Sequence, residues 1–416
     1  MLRVLERTKQ FSKTLIFGDG EVGRLTRIYL HEQGIEISGF IVSGMPTKDT
    51  LMDVPLKCIE SIGSSDSSLV LICVHKIWWD EVKDRLLSLG FVDFELIDDN
   101  RQKYMWNNVT FKDLYGDVEE GRNINTLLYH RVAELDTVYS LIVNKRNFEE
   151  QLKYIKANYK LLRCDDNWDC INEKSIAITF DDGYVDFYKN VYPLLRKYEI
   201  PATVFVSTGN IDSTRMFWWD ELECIIMRSV LPSKINMCDK VYRIDTYLNR
   251  IELLYDIHDQ IMTYNYRDRD AEIESLRKQT SYACDCIENY RTMSREEIYE
   301  ISKCPFVTIG AHTVSHILCD KEEPDLVKKE IEQSKTTLES IIEREVKLFA
   351  YPNGNVGDKT RNILQDVGIE RAFTCYRACA RNGEKKYDIP RSPVLNWGAE
   401  QNERRFKGMW QTGKDI

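Results

Sequence analysis

The stretch Thr179-Phe-Asp-Asp-Gly183 follows directly on the short apolar run Ser175-Ile-Ala-Ile178. A run of this length predicts a buried strand, and the glycine permits the tight turn that ends it. Two adjacent carboxylates at the end of a strand repel each other and are costly to remove from water. A nearby cation would remove that cost. The stretch therefore predicts a cation site at a strand end, next to Asp181 and Asp182.

Two histidines lie four residues apart in Ile309-Gly-Ala-His312-Thr-Val-Ser-His316. On a helical turn this spacing places both imidazoles on the same face, where they can hold one metal ion. One aspartate and two histidines make a three-ligand site with an open position. These ligands suit Zn²⁺ best, and Co²⁺, Mn²⁺ or Ni²⁺ are alternatives because geometry and supply decide which ion is bound.

Length and composition set the class of protein. At 416 residues the chain exceeds the usual size of one hydrophobic core, so we expect two domains. The net charge of −10 argues against nucleic acid or an anionic membrane as partner. There is no apolar run long enough for a transmembrane segment, and the charged start Met1–Gln10 is not a secretory signal. We therefore expect a cytoplasmic protein, in which the 12 cysteines are reduced.

A glycine motif marks the first domain, which we place at residues 1–115. Thr14-Leu-Ile-Phe17 predicts a strand, and a helical pattern follows Gly18-Asp-Gly20-Glu-Val-Gly23. Glycines at this spacing let the backbone approach a phosphate at a helix N-terminus, so Gly18, Gly20 and Gly23 are candidates for nucleotide binding. The next strand is followed by Ser43-Gly-Met45, without the acidic residue of a nicotinamide site. The region resembles small Rossmann-like domains that precede enzymes of surface-glycan pathways, so we expect either a nucleotide or nucleotide-sugar site or a structural domain.

In residues 116–416 short strands alternate with helical patterns. Seven strands are predicted: Thr126–His130, Ser175–Phe180, Pro201–Val206, Phe306–Ile309, Lys347–Tyr351, Arg371–Thr374 and Ile389–Val394. This alternation predicts an irregular (β/α)7 barrel, an α/β fold whose chemistry lies at the C-terminal ends of the strands. Residues of about 220–303 are long, charged and helix-favouring, which predicts a helical insertion.

Three motifs together resemble the polysaccharide deacetylases, also called carbohydrate esterase family four: Thr179–Gly183, His312–His316 and Phe349-Ala-Tyr-Pro-Asn-Gly354. The resemblance implies metal-dependent hydrolysis of an N-acetyl group on an amino sugar. It implies that Asp182, His312 and His316 hold the metal and that Asp181 is the general base. It also implies an oxyanion site formed by backbone N–H groups around Pro352, Asn353 and Gly354.

The general acid requires a separate argument. Many members supply a histidine from a C-terminal motif, but no histidine follows His316 in this chain. Leu127-Leu-Tyr-His-Arg-Val132 resembles the tyrosine-histidine motif of poly-N-acetylglucosamine deacetylases, which implies that His130 is the acid. Many members also begin the third motif with an arginine that orients the base, where this chain has Ala350. Arg391 is the predicted substitute, and an ordinary salt bridge is the alternative.

Two further points stay open at this stage. Tyr351 and Phe217-Trp-Trp219 are candidates for sugar stacking, and as large apolar side chains they suit a core equally well.

The substrate that we expect is a nucleotide- or lipid-linked N-acetylated sugar of cell-surface glycan synthesis. The alternatives are an amidase that releases formyl or another acyl group, and a degenerate barrel that only binds glycan or assembles partners. The sequence also allows an oligomer.

Overall fold

The computed structural model describes most of the chain: residues 1–43, 46, 49–62, 68–74, 78–98, 101, 105, 123–135, 137, 141–169, 171–238, 240–244, 246–280, 287–357, 359–376, 378–380 and 386–411. The chain divides into two compact units, Met1–Gly116 and Asp117–Ile416. The predicted boundary at 115 and 116 itself lies outside the described residues. In the described part, no helix is both long enough and apolar enough to cross a membrane.

The first unit is an open sheet with helices. Its elements are α1 (Leu2–Thr8), β1 (Lys13–Phe17), α2 (Glu21–Glu32), β2 (Gly39–Val42), β3 (Thr50–Leu51), β4 (Val54–Cys58), β5 (Ser68–Ile72), α3 (Trp79–Ser88) and β6 (Asp93–Leu96). The strand order is β3-β4-β2-β1-β5-β6, and all neighbours except β3 and β4 are parallel. The central strands β1 and β5 are almost entirely buried, as expected for a parallel sheet covered on both faces.

The predicted glycine motif forms the turn between β1 and α2. Gly18 has φ +108°, which favours glycine. A Cβ on Gly23 would lie 2.1 Å from the Gly18 carbonyl oxygen, so the close approach of helix and strand requires glycine there as well. Gly20 is the N-cap of α2 and has no atom within 4 Å of a Cβ position. Nucleotide binding at these glycines stays a prediction, as does the Rossmann-like class.

The second unit is built on a curled parallel sheet. Its elements before the insertion are β7 (Ile124–Tyr129), β8 (Arg131–Val132), β9 (Ile142–Val143), α4 (Lys145–Asn158), β10 (Lys160–Leu162), β11 (Ser175–Phe180), α5 (Tyr192–Tyr198) and β12 (Ala202–Val206). The later elements are β15 (Val307–Ala311), α11 (Pro324–Ile342), β16 (Leu348–Ala350), α12 (Thr360–Asp366), β17 (Arg371–Phe373), β18 (Ser392–Pro393) and α13 (Asn402–Gly408).

The strand order of this sheet is β17-β16-β15-β12-β11-β7-β18, with β10 paired to β11 at the side. Its ladders are parallel, and every residue of β7, β11 and β12 is buried. Each of the seven predicted strands overlaps one strand of this path, and the predicted α/β class with a parallel sheet is confirmed. The observed architecture is a curled half-barrel, and the irregular (β/α)7 barrel with its count of seven stays a prediction.

The region predicted as a helical insertion contains more than helices. It comprises α6 (Trp218–Arg228), β13 (Lys234–Met237), β14 (Lys240–Arg243), α7 (Tyr247–Ile261), α8 (Tyr266–Gln279), α9 (Ile287–Tyr290) and α10 (Arg295–Ser302). β13 and β14 form an antiparallel hairpin, which the sequence analysis missed. Apolar residues of α6, α7 and α8 and of β13 form a separate hydrophobic cluster. The insertion therefore has a small core of its own.

Candidate active site

The predicted catalytic residues lie at one edge of the curled sheet. Asp181 and Asp182 follow β11, His130 follows β7, and His312 follows β15. Parallel strands bring their C-terminal ends to the same edge, so these residues converge although they are far apart in sequence. Asp182 has φ +70° and Gly183 has φ +80°, which turns the chain sharply after the strand.

Asp182, His312 and His316 form a buried group that could hold a metal ion. One ligand atom from each lies within 4.8 Å of the others. Asp182 Oδ1 is 3.5 Å from His312 Nε2 and 3.4 Å from His316 Nε2, and it accepts no hydrogen bond from the described residues. A buried carboxylate oxygen without a partner is costly, and a shared cation would satisfy it.

The histidine tautomer also suits a metal. His312 Nδ1 lies 2.7 Å from the Ala350 carbonyl oxygen, which can only accept, so this nitrogen carries the proton. Nε2 is then free to act as ligand, and the backbone contact orients the ring. Burial lowers the pKa of His316, which favours the neutral imidazole that a metal requires. Burial acts in the same direction at His312, but the nearby Asp181 and Asp182 raise its pKa.

The histidines are not on a helical turn, and that part of the prediction is wrong. They lie at the two ends of a loop in which Thr313 has φ +61° and His316 has φ +50°. Glu330, a buried residue of α11, accepts hydrogen bonds from the backbone N–H groups of Val314 at 2.9 Å and Ser315 at 2.8 Å. The Ser315 hydroxyl donates to the same carboxylate at 3.1 Å. Backbone conformation and Glu330 together set the spacing of the two rings.

Asp181 is held by Arg391 in a fully buried bidentate pair. Arg391 Nη1 is 2.7 Å from Asp181 Oδ1, and Nη2 is 2.6 Å from Oδ2. The arginine is in turn fixed by the Thr374 carbonyl, which accepts from Nε at 2.8 Å. Burial acts to raise the pKa of Asp181, but the Arg391 guanidinium outweighs it, and the pKa lies below its usual range. Arg391, the arginine predicted to orient Asp181, therefore does contact it. In sequence it lies outside the third motif, where many members of the family carry this arginine.

His130 and the metal group line one cavity of about 470 Å³. Asp181, Asp182 and Asn353 also line it. His130 is half-buried and lies between β7 and β8. Cavities of this size are typical of small-molecule sites. The cavity brings together the Asp181 carboxylate, the His130 imidazole and the three residues that could hold a metal ion. These are the groups needed to hydrolyse an amide.

The third motif differs in part from the prediction. The Tyr351 side chain is fully buried, and its hydroxyl donates to the Tyr387 carbonyl at 2.9 Å, so this ring cannot stack on a sugar. Pro352 has no N–H group, and the Gly354 N–H donates to the Tyr351 carbonyl at 2.8 Å. The backbone N–H of Asn353 stays the candidate donor of this motif. Asn353 has φ +53° and lines the cavity.

Sequence reasoning missed a buried polar network beside the cavity. The Tyr184 hydroxyl donates to Asp220 at 2.5 Å and accepts from the Trp219 indole at 2.8 Å. Arg131 donates to Asp186 at 2.7 Å and lies 3.9 Å from Asp220. Burial raises the pKa of Asp220 to about 7. The signal in the sequence was an aspartate within an aromatic run, which alone does not distinguish a site from a core.

The insertion supplies one wall of the cavity. Trp218 and Trp219 of α6 and His258 of α7 line it, with Met262 after α7. The Trp219 ring lies 4.7 Å from the His316 ring, measured between centroids. The candidate aromatic residues Trp218 and Trp219 therefore lie at the site. Phe217 is buried and stacks on Trp219 at 4.6 Å.

Comparison with known proteins places the chain in a family. A family model described as polysaccharide deacetylase matches residues 169–237 and 264–372. Poly-beta-1,6-N-acetyl-D-glucosamine N-deacetylase of Staphylococcus aureus strain MRSA252 is 30% identical over 309 residues, which is 68% of this chain and 82% of that protein. The chain belongs to the polysaccharide deacetylase family. The predicted family is thus confirmed, and with it the predicted class of enzyme, a hydrolytic carbohydrate N-deacetylase.

Other similarities are shorter or weaker. The Bacillus subtilis protein YxkH is 35% identical over 95 residues, 21% of this chain, and the match spans 33% of that protein. IcaB of Ammonifex degensii is a solved structure with TM-score 0.46 and 17% identity, over 72% of this chain and 99% of that one. The deacetylase PplD of Streptococcus pyogenes, solved in complex with acetate, has TM-score 0.45 and 19% identity, over 69% and 97%.

Proposed function

We propose that this protein is a metal-dependent deacetylase that removes the N-acetyl group from a nucleotide- or lipid-linked amino sugar during cell-surface glycan synthesis. The observation that carries the proposal is the Asp181–Arg391 pair beside the buried group of Asp182, His312 and His316. A metal site alone does not need a second carboxylate. A fixed carboxylate next to it is what hydrolysis requires.

The metal would be held by Asp182 Oδ1 and the Nε2 atoms of His312 and His316. Their fit to a cation rests on the unpartnered carboxylate oxygen and on the fixed His312 tautomer. When bound, a divalent ion such as Zn²⁺ supplies polarisation of the acyl carbonyl and a lowered pKa for water. Its identity among Zn²⁺, Co²⁺, Mn²⁺ and Ni²⁺ belongs to the proposal.

The protein's own groups perform the proton transfers. Asp181 accepts a proton from the attacking water, and Arg391 keeps both of its carboxylate oxygens in place. His130 donates a proton to the sugar nitrogen as the C–N bond breaks, since an unprotonated amine is a poor leaving group. Asn353 lines the cavity, and its backbone N–H would stabilise the oxyanion.

The choice of an activated sugar rests on two points. The expected cytoplasmic location favours an intermediate over a finished polymer. The first unit adds a parallel sheet whose glycine turn, Gly18 to Gly23, leads into the N-terminus of α2, which suits a phosphate. The S. aureus relative acts, by its name, on poly-beta-1,6-N-acetyl-D-glucosamine. We propose the same acetamido chemistry here on a smaller, carrier-linked sugar.

The test is acetate release from nucleotide-linked N-acetylhexosamines. Protein stripped of metal and reloaded with Zn²⁺ or Co²⁺ is compared with the Asp181→Asn variant. We expect release that depends on metal and is lost in the variant. Formate in place of acetate would point to the related amidase. Metal binding without release of any acyl group from nucleotide- or lipid-linked sugars would refute the proposed substrate.

A further inference from the structure

A second cavity of about 530 Å³ lies next to the one that holds the candidate catalytic residues. Trp218 lines both cavities. Val314 and Ser315, from the loop between the two histidines, line the second cavity as well. The remaining wall comes from residues between 209 and 217 and from α8 of the insertion, which contributes Arg269 and Arg277. Nothing in the proposed reaction uses this space.

Arg269 is the unusual group in the second cavity. Its side chain is only 5% exposed as a residue, and its Nε has no hydrogen-bond partner among the described residues. Its guanidinium lies 5.4 Å from the centroid of the Trp218 ring. The indole Nε1–H of Trp218 is also buried without a described acceptor. Two buried donors without acceptors, one of them cationic, are costly unless a ligand satisfies them.

The carboxylates near Arg269 do not fill this role. Asp270 Oδ1 is 3.8 Å from Nε, beyond hydrogen-bond distance, and its side chain is 64% exposed. Glu330 is engaged by the Val314 and Ser315 loop, and Glu322 accepts the Tyr266 backbone N–H at 2.7 Å. Burial lowers the pKa of Arg269, which shows that these carboxylates do not offset its desolvation.

The other arginines of the cavity differ from Arg269. Arg277 is held by Glu221, with Nε 2.5 Å from Oε1 and Nη2 2.6 Å from Oε2. Arg215 is exposed at the cavity wall. The second cavity therefore offers a buried guanidinium, Arg269, whose Nε has no hydrogen-bond acceptor among the described residues, and an exposed guanidinium, Arg215. Guanidinium groups bind oxyanions, phosphates above all, through charge-assisted hydrogen bonds.

We propose that the second cavity binds the phosphoryl group that links the acylated sugar to its carrier, with Arg269 as the buried donor and Arg215 at the entrance. This inference rests on the proposed function, in which the substrate is a nucleotide- or lipid-linked sugar. In such a substrate the phosphoryl and acylamino groups lie on the same sugar ring. Trp218 lines both cavities, so one sugar can present its two groups to neighbouring sites. Nucleotide and lipid carriers share this phosphoryl chemistry.

The experiment measures binding by isothermal titration calorimetry with the full-length, metal-loaded protein carrying Asp181→Asn, so that no turnover occurs. The probes are inorganic pyrophosphate, uridine diphosphate N-acetylglucosamine, a short polyprenyl diphosphate N-acetylglucosamine and plain N-acetylglucosamine. Arg269→Met is compared with Arg267→Met, an exposed arginine of the same helix that does not line the cavity. Arg269→Lys keeps the charge if the methionine variant unfolds.

We expect Arg269→Met to weaken binding of the phosphorylated probes at least tenfold and Arg269→Lys to weaken it less, because lysine keeps the charge but not the fork of donors. Arg267→Met should leave binding unchanged, and plain N-acetylglucosamine should not distinguish the variants. Any binding of pyrophosphate at the metal is common to all variants. The nucleotide-linked and the polyprenyl-linked sugar are then compared. The one whose binding is weakened more by Arg269→Met identifies the source of the phosphate.

The outcome separates the two proposals. If phosphorylated probes bind equally to Arg269→Met and Arg267→Met, the phosphate site is refuted, whatever the acetate assay shows. If binding depends on Arg269 but no sugar releases acetate in the protein with Asp181 intact, the phosphate site stands and the proposed deacetylation fails. A third outcome is that plain and phosphorylated sugars release acetate equally and that Arg269→Met does not change this release. The proposed deacetylase activity would then stand, and the phosphate site would be refuted.

Discussion

Replacing Glu330 by glutamine should weaken metal binding without touching a metal ligand. The Glu330 carboxylate accepts three hydrogen bonds from the loop between His312 and His316, at 2.9, 2.8 and 3.1 Å. This loop contains two residues with positive φ, Thr313 at +61° and His316 at +50°. Such conformations persist only where the surroundings enforce them. A looser loop would let the two imidazoles separate before the metal binds.

The expected magnitude follows from the hydrogen bonds. In Glu330→Gln the remaining oxygen can still accept from the two backbone N–H groups, and the amide can face the Ser315 hydroxyl oxygen. What is lost is the negative charge, and a hydrogen bond to a charged group is worth about 1 kcal/mol more than a neutral one. Two such bonds give about 2 kcal/mol, which corresponds to roughly 30-fold in affinity. Changes around metal ligands typically cost about 10- to 100-fold.

The assay is Zn²⁺ affinity by competition with a chromogenic chelator, together with the thermal midpoint of the metal-free protein. Glu332→Gln is the matched control, since Glu332 lies on the same helix and is half exposed, and its ion-pair partner among the described residues is Lys328 at 3.7 Å. The control should bind Zn²⁺ like the unmodified protein. Equal Zn²⁺ affinity in Glu330→Gln and the control would refute the reasoning that this carboxylate sets the loop.

Three further predictions concern the same unit. Arg391→Met should lower kcat about 100-fold or more while metal affinity is nearly kept, because it leaves the Asp181 base unpaired and free to turn; unchanged kcat in acetate release would contradict this. His130→Gln should lower turnover by about 10²- to 10⁴-fold, and near-normal turnover, with Asp181→Asn inactive, would exclude His130 as the acid. The raised pKa of Asp220, about 7, means that the folded protein keeps a proton which the unfolded chain releases near pH 4. The free energy of unfolding should therefore fall as pH rises between these values, and Asp220→Asn should flatten this part of the profile in urea titrations; an unchanged slope would count against it.

Much of the architecture could be predicted because parallel strands have a simple signal. Buried runs such as Ser175–Phe180 are short and apolar, and polar residues at their C-terminal ends converge whatever the loop lengths are. The pairing of Arg391 with Asp181 was predicted in another way, from the resemblance to a family in which an arginine orients the base. The hairpin of β13 and β14 was missed because the charged surroundings outweighed the alternation in Lys234-Ile-Asn-Met237.

The details of the site were beyond local sequence signals. Four-residue spacing of histidines is compatible with a helix and with a loop, and threonine at position 313 does not indicate a positive φ. The bracing carboxylate, Glu330, is 15 residues from Ser315 and lies in a helix that reads as an ordinary amphipathic one. Burial of Tyr351 depends on what covers the strand end, which the strand itself does not encode.

The pair of Asp181 and Arg391 spans 210 positions of the chain. Arg391 immediately precedes β18, whose strand partner is β7, and β7 is also paired to β11 ahead of Asp181. Arg391 therefore reaches Asp181 across β7, because β7 lies between β11 and β18 in the sheet. A chain cut before residue 391 would keep Asp182, His312 and His316 but would lose the partner that fixes the Asp181 carboxylate.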